Sequence, residues 1–337
     1  MKILVTGGAG YIGSHVCMEL NLEGMDVVVI DNLSNSHIDN LKEVEKYTQK
    51  KILFYKGDIR NRNLLECIFE DHNINAVVHL AAKKSITESL IIPTEYYDNN
   101  ISGLLTLLEI MESHGCQNMY FSSSASVYGV QAKNPITEEF IPGKCSNAYA
   151  RGKLMAEEIL NDAYQSDQTW NITVFRYFNP IGAHSSGVIG EEFNDNSTNI
   201  MPHIIQVASR QKEKLDIFGI DYPTKDGTGV RDYIHVEDLA CAHVHALKKF
   251  NGTSGFRLFN LGTGQGHSVL ELIHTFEKVT EQKVPYVIKE RRSGDISCCY
   301  CNTDKALEEL EWKAKYSLED MCKTAWSWHT RQLKKDE

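Results

Sequence analysis

Lys2-Ile3-Leu4-Val5-Thr6-Gly7-Gly8-Ala9-Gly10-Tyr11-Ile12-Gly13 runs from a short apolar segment into a glycine cluster, after which Ile12, Val16 and Leu20 recur at helical spacing. The pattern is strand, tight turn, helix. Glycines at 7, 10 and 13 let the backbone turn sharply, approach a pyrophosphate closely and pack the helix on the sheet, while the helix start offers N–H groups to phosphate oxygens. On its own the turn reads equally as a plain βα connection, so the fold rests on the strands and helices beyond it.

Val27-Val28-Val29-Ile30 is a second apolar run that closes on Asp31. An acid roughly 20 residues beyond such a turn accepts hydrogen bonds from an adenosine ribose diol and repels a 2′-phosphate, which favours NAD over NADP. Asn32, Asn35 and Ser36 come next as further ribose candidates and read equally as turn residues. Ile52-Leu53-Phe54-Tyr55 predicts a third strand leading to Asp58, placed for the adenine amino group. Ala76-Val77-Val78-His79 predicts a fourth, opening toward Lys84, which either neutralises the pyrophosphate or is a solvated loop lysine. A long helical pattern over about 94–113 carries Asn99, and Asn118-Met119-Tyr120-Phe121 predicts strand five, ending in Ser122-Ser123-Ser124. Strands alternating with long helices imply right-handed βαβ units and an α/β, Rossmann-type doubly wound parallel sheet.

Tyr149 and Lys153 stand four apart at the start of the next amphipathic run, hence on one helix face. A cation beside a phenol favours the phenolate, so the pair suits proton exchange with an alcohol. Strand six is expected at Ile172–Arg176. Beyond about 180 the rhythm degrades, with a polar stretch at 187–199, a helix near 202–211 and a Gly/Asp/Thr-rich loop at 219–229. We expect a dinucleotide-binding domain at 1–180 and a smaller C-terminal α/β substrate lobe at 181–337, with segments near 231–262 returning to the first.

The 337 residues carry 35 Lys plus Arg against 45 Asp plus Glu, a net charge of -10, which argues against nucleic acid or an anionic membrane as the main partner. Nine cysteines, no signal peptide ahead of Lys2 and no run long enough to span a bilayer point to a reducing cytoplasm. The cluster Cys298-Cys299-Tyr300-Cys301 lacks a second Cys/His pair at ligand spacing, and no metal is expected.

The glycine turn, the acid after strand two, the serine after strand five and Tyr-x-x-x-Lys together resemble the extended short-chain dehydrogenase/reductase superfamily. Longer stretches, Ser122–Gly129, Arg176–His184 and Asp221–Val236, are similar to the UDP-glucose 4-epimerases, from Lys2 to about Trp328. The resemblance implies Ser124, Tyr149 and Lys153 as the catalytic set. Around NAD it implies Gly7, Gly10, Tyr11, Ile12, Gly13, Asp31, Asn32, Asn35, Ser36, Asp58, Ile59, Lys84, Asn99, Tyr177 and Phe178, with Tyr149 and Lys153. Around a UDP-hexose it implies Ser124, Asn179, Asn199, Phe218, Arg231, Tyr233, Arg292 and Asp295, with Phe218 facing uracil, Arg231 and Arg292 the diphosphate and Asp295 a ribose. A small residue at Cys299 implies room for a 2-N-acetyl group, and the family resemblance implies a homodimer.

Two other readings compete. A nucleotide-sugar 4,6-dehydratase needs an Asp-Glu pair just before Val-Tyr-Gly, where this chain has Ala125-Ser126. A non-catalytic NAD-sensing regulator has no need of Ser124, Tyr149 and Lys153 together. One local departure stands out: where family members commonly carry Gly-Lys-Ser between the Tyr and Lys, this chain has Ala150-Arg151-Gly152, and a helical glycine costs about 1 kcal/mol relative to Ala.

Overall fold

The computed structural model describes residues 1–129, 133–193, 199–292 and 295–336. The chain begins β1 (Lys2–Thr6), α1 (Tyr11–Leu22), β2 (Asp26–Asp31), α2 (Asp39–Thr48), β3 (Ile52–Lys56), α3 (Arg62–Asp71), β4 (Ala76–His79), α4 (Ile86–Ile91), α5 (Pro93–Tyr97), α6 (Gly103–Ser113), β5 (Asn118–Ser124), α7 (Ala148–Ser166) and β6 (Asn171–Tyr177). It continues β7 (Asn179–Ile181), α8 (Ile200–Ala208), β8 (Leu215–Phe218), β9 (Val230–His235), α9 (Val236–Phe250), β10 (Gly255–Leu261), β11 (Gly266–Ser268), α10 (Val269–Thr280), β12 (Tyr286–Lys289), β13 (Cys298–Cys299), α11 (Asp304–Leu310) and α12 (Leu318–Asp336).

The chain divides into two compact units. The first comprises Met1–Val127, Cys145–Arg176 and Ala240–Phe259; the second comprises Tyr128–Lys144, Tyr177–Leu239 and Asn260–Glu337.

In the first, a seven-stranded sheet runs β10-β6-β5-β4-β1-β2-β3. β1 pairs parallel with both β2 and β4, β2 with β3 and β4 with β5. The order reverses direction at β1, which is the doubly wound arrangement. Val27-Val28-Val29-Ile30 is buried throughout, as a strand covered on both faces requires, whereas edge strand β3 leaves Leu53 exposed. The core gathers Leu4, Val28, Leu65, Val77, Leu107, Met119, Leu160 and Val174.

The helical pattern over 94–113 is interrupted. Between α5 and α6 lies a π-helical turn, Asp98–Ser102, which carries Asn99 and Asn100. One extra residue in the helix re-aims the side chains on it, and such turns recur at functional sites. Strand five is longer than expected, so Ser122, Ser123 and Ser124 belong to β5 itself.

The second unit contains a four-stranded arrangement in which β9 pairs with β7, β11 and β13, and a two-stranded sheet of β8 and β12. Its core brings together Ile181, Ile204, Ile217, Tyr233, Leu272, Phe276 and Met321. Among the described residues no helix is long and apolar enough to cross a membrane.

Candidate active site

The glycine turn is held by backbone contacts that explain two of its glycines. Gly7 adopts φ +71 and donates its N–H to the Ile30 carbonyl at 2.8 Å; a Cβ there would lie 2.8 Å from the Ala81 nitrogen. At Gly13 a Cβ would stand 2.1 Å from the Gly7 oxygen, so the helix packs on its own turn only because position 13 has no side chain. Gly10 is different: a Cβ would meet the Gly7 oxygen at 3.4 Å, an ordinary contact. Gly10 also caps α1 with no side-chain hydrogen bond to the helix start. Among the described residues only the Gly7 oxygen comes within 4 Å of a Cβ built on Gly10, and the N–H groups of Tyr11 and Ile12 lie at a positive helix end, which fits a pyrophosphate.

Asp31, at the end of β2, fastens this turn. Its carboxylate accepts from the Ala9 N–H at 3.0 Å, the Leu33 N–H at 2.9 Å and the Ser36 hydroxyl at 2.9 Å. An ionised carboxylate offers about four acceptor positions, so room for a ribose hydroxyl remains. Asp58 is more fully engaged: the Arg60 backbone N–H, Arg60 Nε and Nη2, and Asn32 Nδ2 all donate to it, at 2.8–3.1 Å. The Arg60 guanidinium holds its carboxyl well below the usual range. An adenine amino group at Asp58 would therefore compete with Asn32. Asn35 and Lys84 are exposed, while Ile59 is buried in the core. Asn100, which sequence reasoning missed, accepts from the Lys83 N–H at 2.9 Å and donates to the Lys83 carbonyl at 3.0 Å, fixing the loop after β4; Asn99 donates to Asn100 at 2.9 Å.

Asn147 caps α7 by accepting from the Ala150 N–H at 2.8 Å, which places Tyr149 and Lys153 one turn apart as expected. Burial pushes the Tyr149 phenol above the ordinary value, and the neighbouring Ser124 hydroxyl works in the opposite direction. Ser124 Oγ also accepts from the Ser126 N–H at 3.2 Å and the Ser126 hydroxyl at 2.9 Å. Lys153 donates to the Ser122 carbonyl at 2.5 Å, and its ammonium lies 4.7 Å from the Phe121 ring centroid. Burial brings Lys153 down to about 7, with the Glu157 carboxylate opposing.

In the ligand-free chain burial, not Lys153, sets the direction of the Tyr149 shift. The ammonium is spent on a strand carbonyl, and desolvation dominates at the phenol. Gly152 is buried, yet among the described residues a Cβ there would meet nothing within 4 Å, so none of them requires a glycine. Arg151 donates to the Tyr97 hydroxyl at 3.0 Å and the Cys145 carbonyl at 3.3 Å.

Glu157 and Arg176 were also missed, although Glu157 continues the four-residue spacing from Lys153. Arg176 on β6 donates Nε at 3.0 Å and Nη2 at 2.6 Å to Glu157, and the Ser123 hydroxyl donates to the same carboxylate. Thr6 Oγ1 accepts from the N–H groups of Leu80 and Ala81, both at 3.2 Å, so its proton goes to His79 Nδ1 at 2.7 Å. That leaves His79 neutral with its proton on Nε2, consistent with burial pulling it down to about 3.

In the second unit, the groups expected to hold a nucleotide are paired with one another. Arg231 on β9 reaches Asp295 at 2.5 Å, and the Arg292 guanidinium stands 3.9 Å from the Phe218 ring centroid. Asn199 donates to Glu191 at 2.6 Å. Asn179 lies opposite Tyr233 in the β7–β9 register, and Cys299 lies opposite Arg231 in the β13–β9 register. Tyr233, Tyr177 and Phe178 are buried, as is Cys299, whereas Cys298 is half-buried.

Residues 4–325 match the protein family described as GDP-mannose 4,6 dehydratase. The UDP-glucose 4-epimerase of Bacillus subtilis is 50% identical over 99% of this chain and 98% of its own length. The crystal structure of UDP-glucose 4-epimerase from Bifidobacterium longum in complex with NAD+ and UDP superposes with TM-score 0.96 at 44% identity, covering 99% of each chain. That of Stenotrophomonas maltophila, with bound NAD and formylated UDP-arabinopyranose, gives TM-score 0.96 at 46% identity over the whole of both chains.

Proposed function

The chain belongs to the family described as GDP-mannose 4,6 dehydratase and, within it, to the UDP-glucose 4-epimerases, and from that membership we propose how it interconverts UDP-galactose and UDP-glucose with NAD as its cofactor. The observation that carries the reading is Tyr149 beside Ser124 with Lys153 one helical turn away.

Residues at the glycine turn and Asp31 hold NAD, with Asn32, Asn35, Ser36, Asp58, Ile59, Lys84, Asn99, Tyr177 and Phe178 completing its surroundings. When bound, NAD supplies hydride exchange at the sugar C4 and, oxidised, a positive charge. Tyr149 takes and returns the 4-hydroxyl proton. In the ligand-free chain its phenol keeps that proton, and any positive charge added beside it favours the phenolate. Ser124 bridges the proton between sugar oxygen and phenol, and Lys153 supplies charge from the same helix face. Arg231, Arg292, Phe218 and Asp295, with Asn179, Asn199 and Tyr233, anchor the UDP. They do so by exchanging their present partners, Asp295 on Arg231 and Arg292 on Phe218, for diphosphate, ribose and uracil.

Elimination of water, the step a 4,6-dehydratase adds, needs a second acid/base pair. Ala125 and Ser126 hold the positions where it would stand, and Ser126 is committed to Ser124. The functional division we propose is NAD on residues 1–180 and UDP-sugar on 181–337. Buried Cys299 is small enough to admit a 2-N-acetyl group, so UDP-N-acetylglucosamine and UDP-N-acetylgalactosamine are substrates too. Exposed Leu105 and Met155, on the helices around 94–113 and 149–165, support a homodimer, and nine cysteines held as thiols support a reducing cytoplasm.

UDP-[4-²H]galactose incubated in ordinary water tests the reading. The proposal expects UDP-glucose with deuterium kept at C4, and loss of the reaction in a Tyr149→Phe/Ser124→Ala protein. Solvent hydrogen at C4, or a 4-keto-6-deoxy product, would overturn it.

A further inference from the structure

Tyr149, Lys153 and Glu157 repeat every four residues along α7, about 6 Å per step. Each faces a different serine of β5: Tyr149 neighbours the Ser124 hydroxyl, Lys153 donates to the Ser122 carbonyl and Glu157 accepts from the Ser123 hydroxyl. The first two belong to the proton-transfer centre. The third is buried, at 6% exposure, and is clamped by Arg176, itself 3% exposed. A buried ion pair is weak evidence of a stabilising role, because desolvation offsets most of its attraction.

The charges around Lys153 show what else it does. Facing Lys153 from its own helix are Tyr149 and Glu157; from β5, the Phe121 ring and the Ser122 carbonyl; from β4, His79, held neutral by Thr6; from β6, Arg176 through Glu157. On the other sides of α7, Glu88 is bonded to Tyr96, Glu95 to Lys83, and Asp98 to Arg60. Glu157 is thus the carboxylate acting on Lys153. Remove its charge and two buried cations remain, of which Arg176 cannot give up a proton. The group that would deprotonate is Lys153.

We propose that Glu157 is a positioning residue for the epimerisation, acting through Lys153: with its carboxylate held by Arg176 and Ser123, it favours the protonated form of Lys153 and its seat on β5. The catalytic half of this inference rests on the reading of Ser124, Tyr149 and Lys153 given above; the electrostatic half rests on the four-residue spacing of Lys153 and Glu157 on α7 and on the Arg176 and Ser123 bonds that hold the Glu157 carboxylate. Burial that pulls Lys153 down to about 7, opposed by Glu157, places the balance where a lost carboxylate is felt.

The test uses the full-length protein carrying [ε-¹³C]lysine, with the Lys153 signal assigned through Lys153→Arg. In Glu157→Gln the Lys153 midpoint should fall by about one pH unit or more, and the alkaline limb of the kcat profile for UDP-galactose should fall with it. Glu157→Gln/Arg176→Met, which buries no uncompensated arginine, should recover part of that fall and guards against a single variant that does not fold. A Lys153 midpoint unmoved in folded Glu157→Gln and in the double variant would overturn the proposal. An unmodified protein that binds NAD but fails to turn over UDP-galactose would sink the functional reading instead, leaving the NMR midpoints to decide the role of Glu157.

Discussion

Gly10 and Gly13 lie three residues apart in one turn, yet alanine at each should fail differently. At Gly13 the new Cβ would stand 2.1 Å from the Gly7 oxygen and 2.7 Å from the Gly8 Cα, both backbone atoms. Neither can swing away, so the turn must open by about 1 Å, a strain of about 1–3 kcal/mol by analogy with overpacked cores. The denaturation midpoint should drop by several degrees, and the displaced N–H groups should lose NAD. At Gly10 the Cβ meets only the Gly7 oxygen at 3.4 Å, and φ of -74 suits alanine. Stability should stay within about 0.5 kcal/mol of the parent. The methyl would, however, occupy the space the account assigns to the pyrophosphate, weakening NAD retention roughly 10- to 100-fold, equivalent to about 1–3 kcal/mol. Differential scanning fluorimetry of NAD-stripped protein reads the first quantity. Enzymatic assay of NAD released from purified protein, with a dilution series for retention, reads the second. Parent-like NAD retention in Gly10→Ala, or parent-like stability in Gly13→Ala, would refute this division of labour.

Lys153→Met should give an inactive but more stable protein. The folded Lys153 sits near 7, below its ordinary 10.5, so its burial costs most below about pH 7 and nothing once the lysine is neutral in both states; the gain, on the order of a few kcal/mol at pH 6, should shrink between pH 7 and 10.5, as urea melts across that range would show. Asp31→Asn replaces a carboxylate that accepts three hydrogen bonds by an amide that keeps one acceptor oxygen and whose NH2 can only donate. It should cost about 1–3 kcal/mol and lower NAD content, read by the same fluorimetry and NAD assay. Cys299→Tyr should abolish turnover of the acetylated UDP-hexoses while UDP-galactose remains a substrate, measured by product chromatography of both.

What local chemistry dictates was legible in the sequence. The glycine spacing, the apolar strand before Asp31 and the one-turn separation of Tyr149 and Lys153 come from backbone sterics and helix period, and the structure places each accordingly. What depended on distant partners was not. Asp58 looked open to an adenine until Arg60 and Asn32 filled its acceptor positions. Lys153 looked turned toward Tyr149 until the Ser122 carbonyl, 31 residues away, claimed its ammonium. The π-turn at Asp98–Ser102 left the apolar period of 94–113 nearly intact, so nothing in that pattern announced it. Glu157 did leave a signal, the third member of the Tyr149–Lys153 spacing, but its meaning required Arg176 on a neighbouring strand.

In the internal redox cycle proposed for the epimerisation, the cofactor that arrives with the protein is returned unchanged at each turn. Purified protein incubated with UDP-galactose, with no NAD added, tests it most directly. UDP-glucose should accumulate to an equilibrium mixture over many turnovers with no net gain of absorbance from reduced nicotinamide. Absence of UDP-glucose from protein that retains NAD, or reduced cofactor building up in step with consumed sugar, would contradict it.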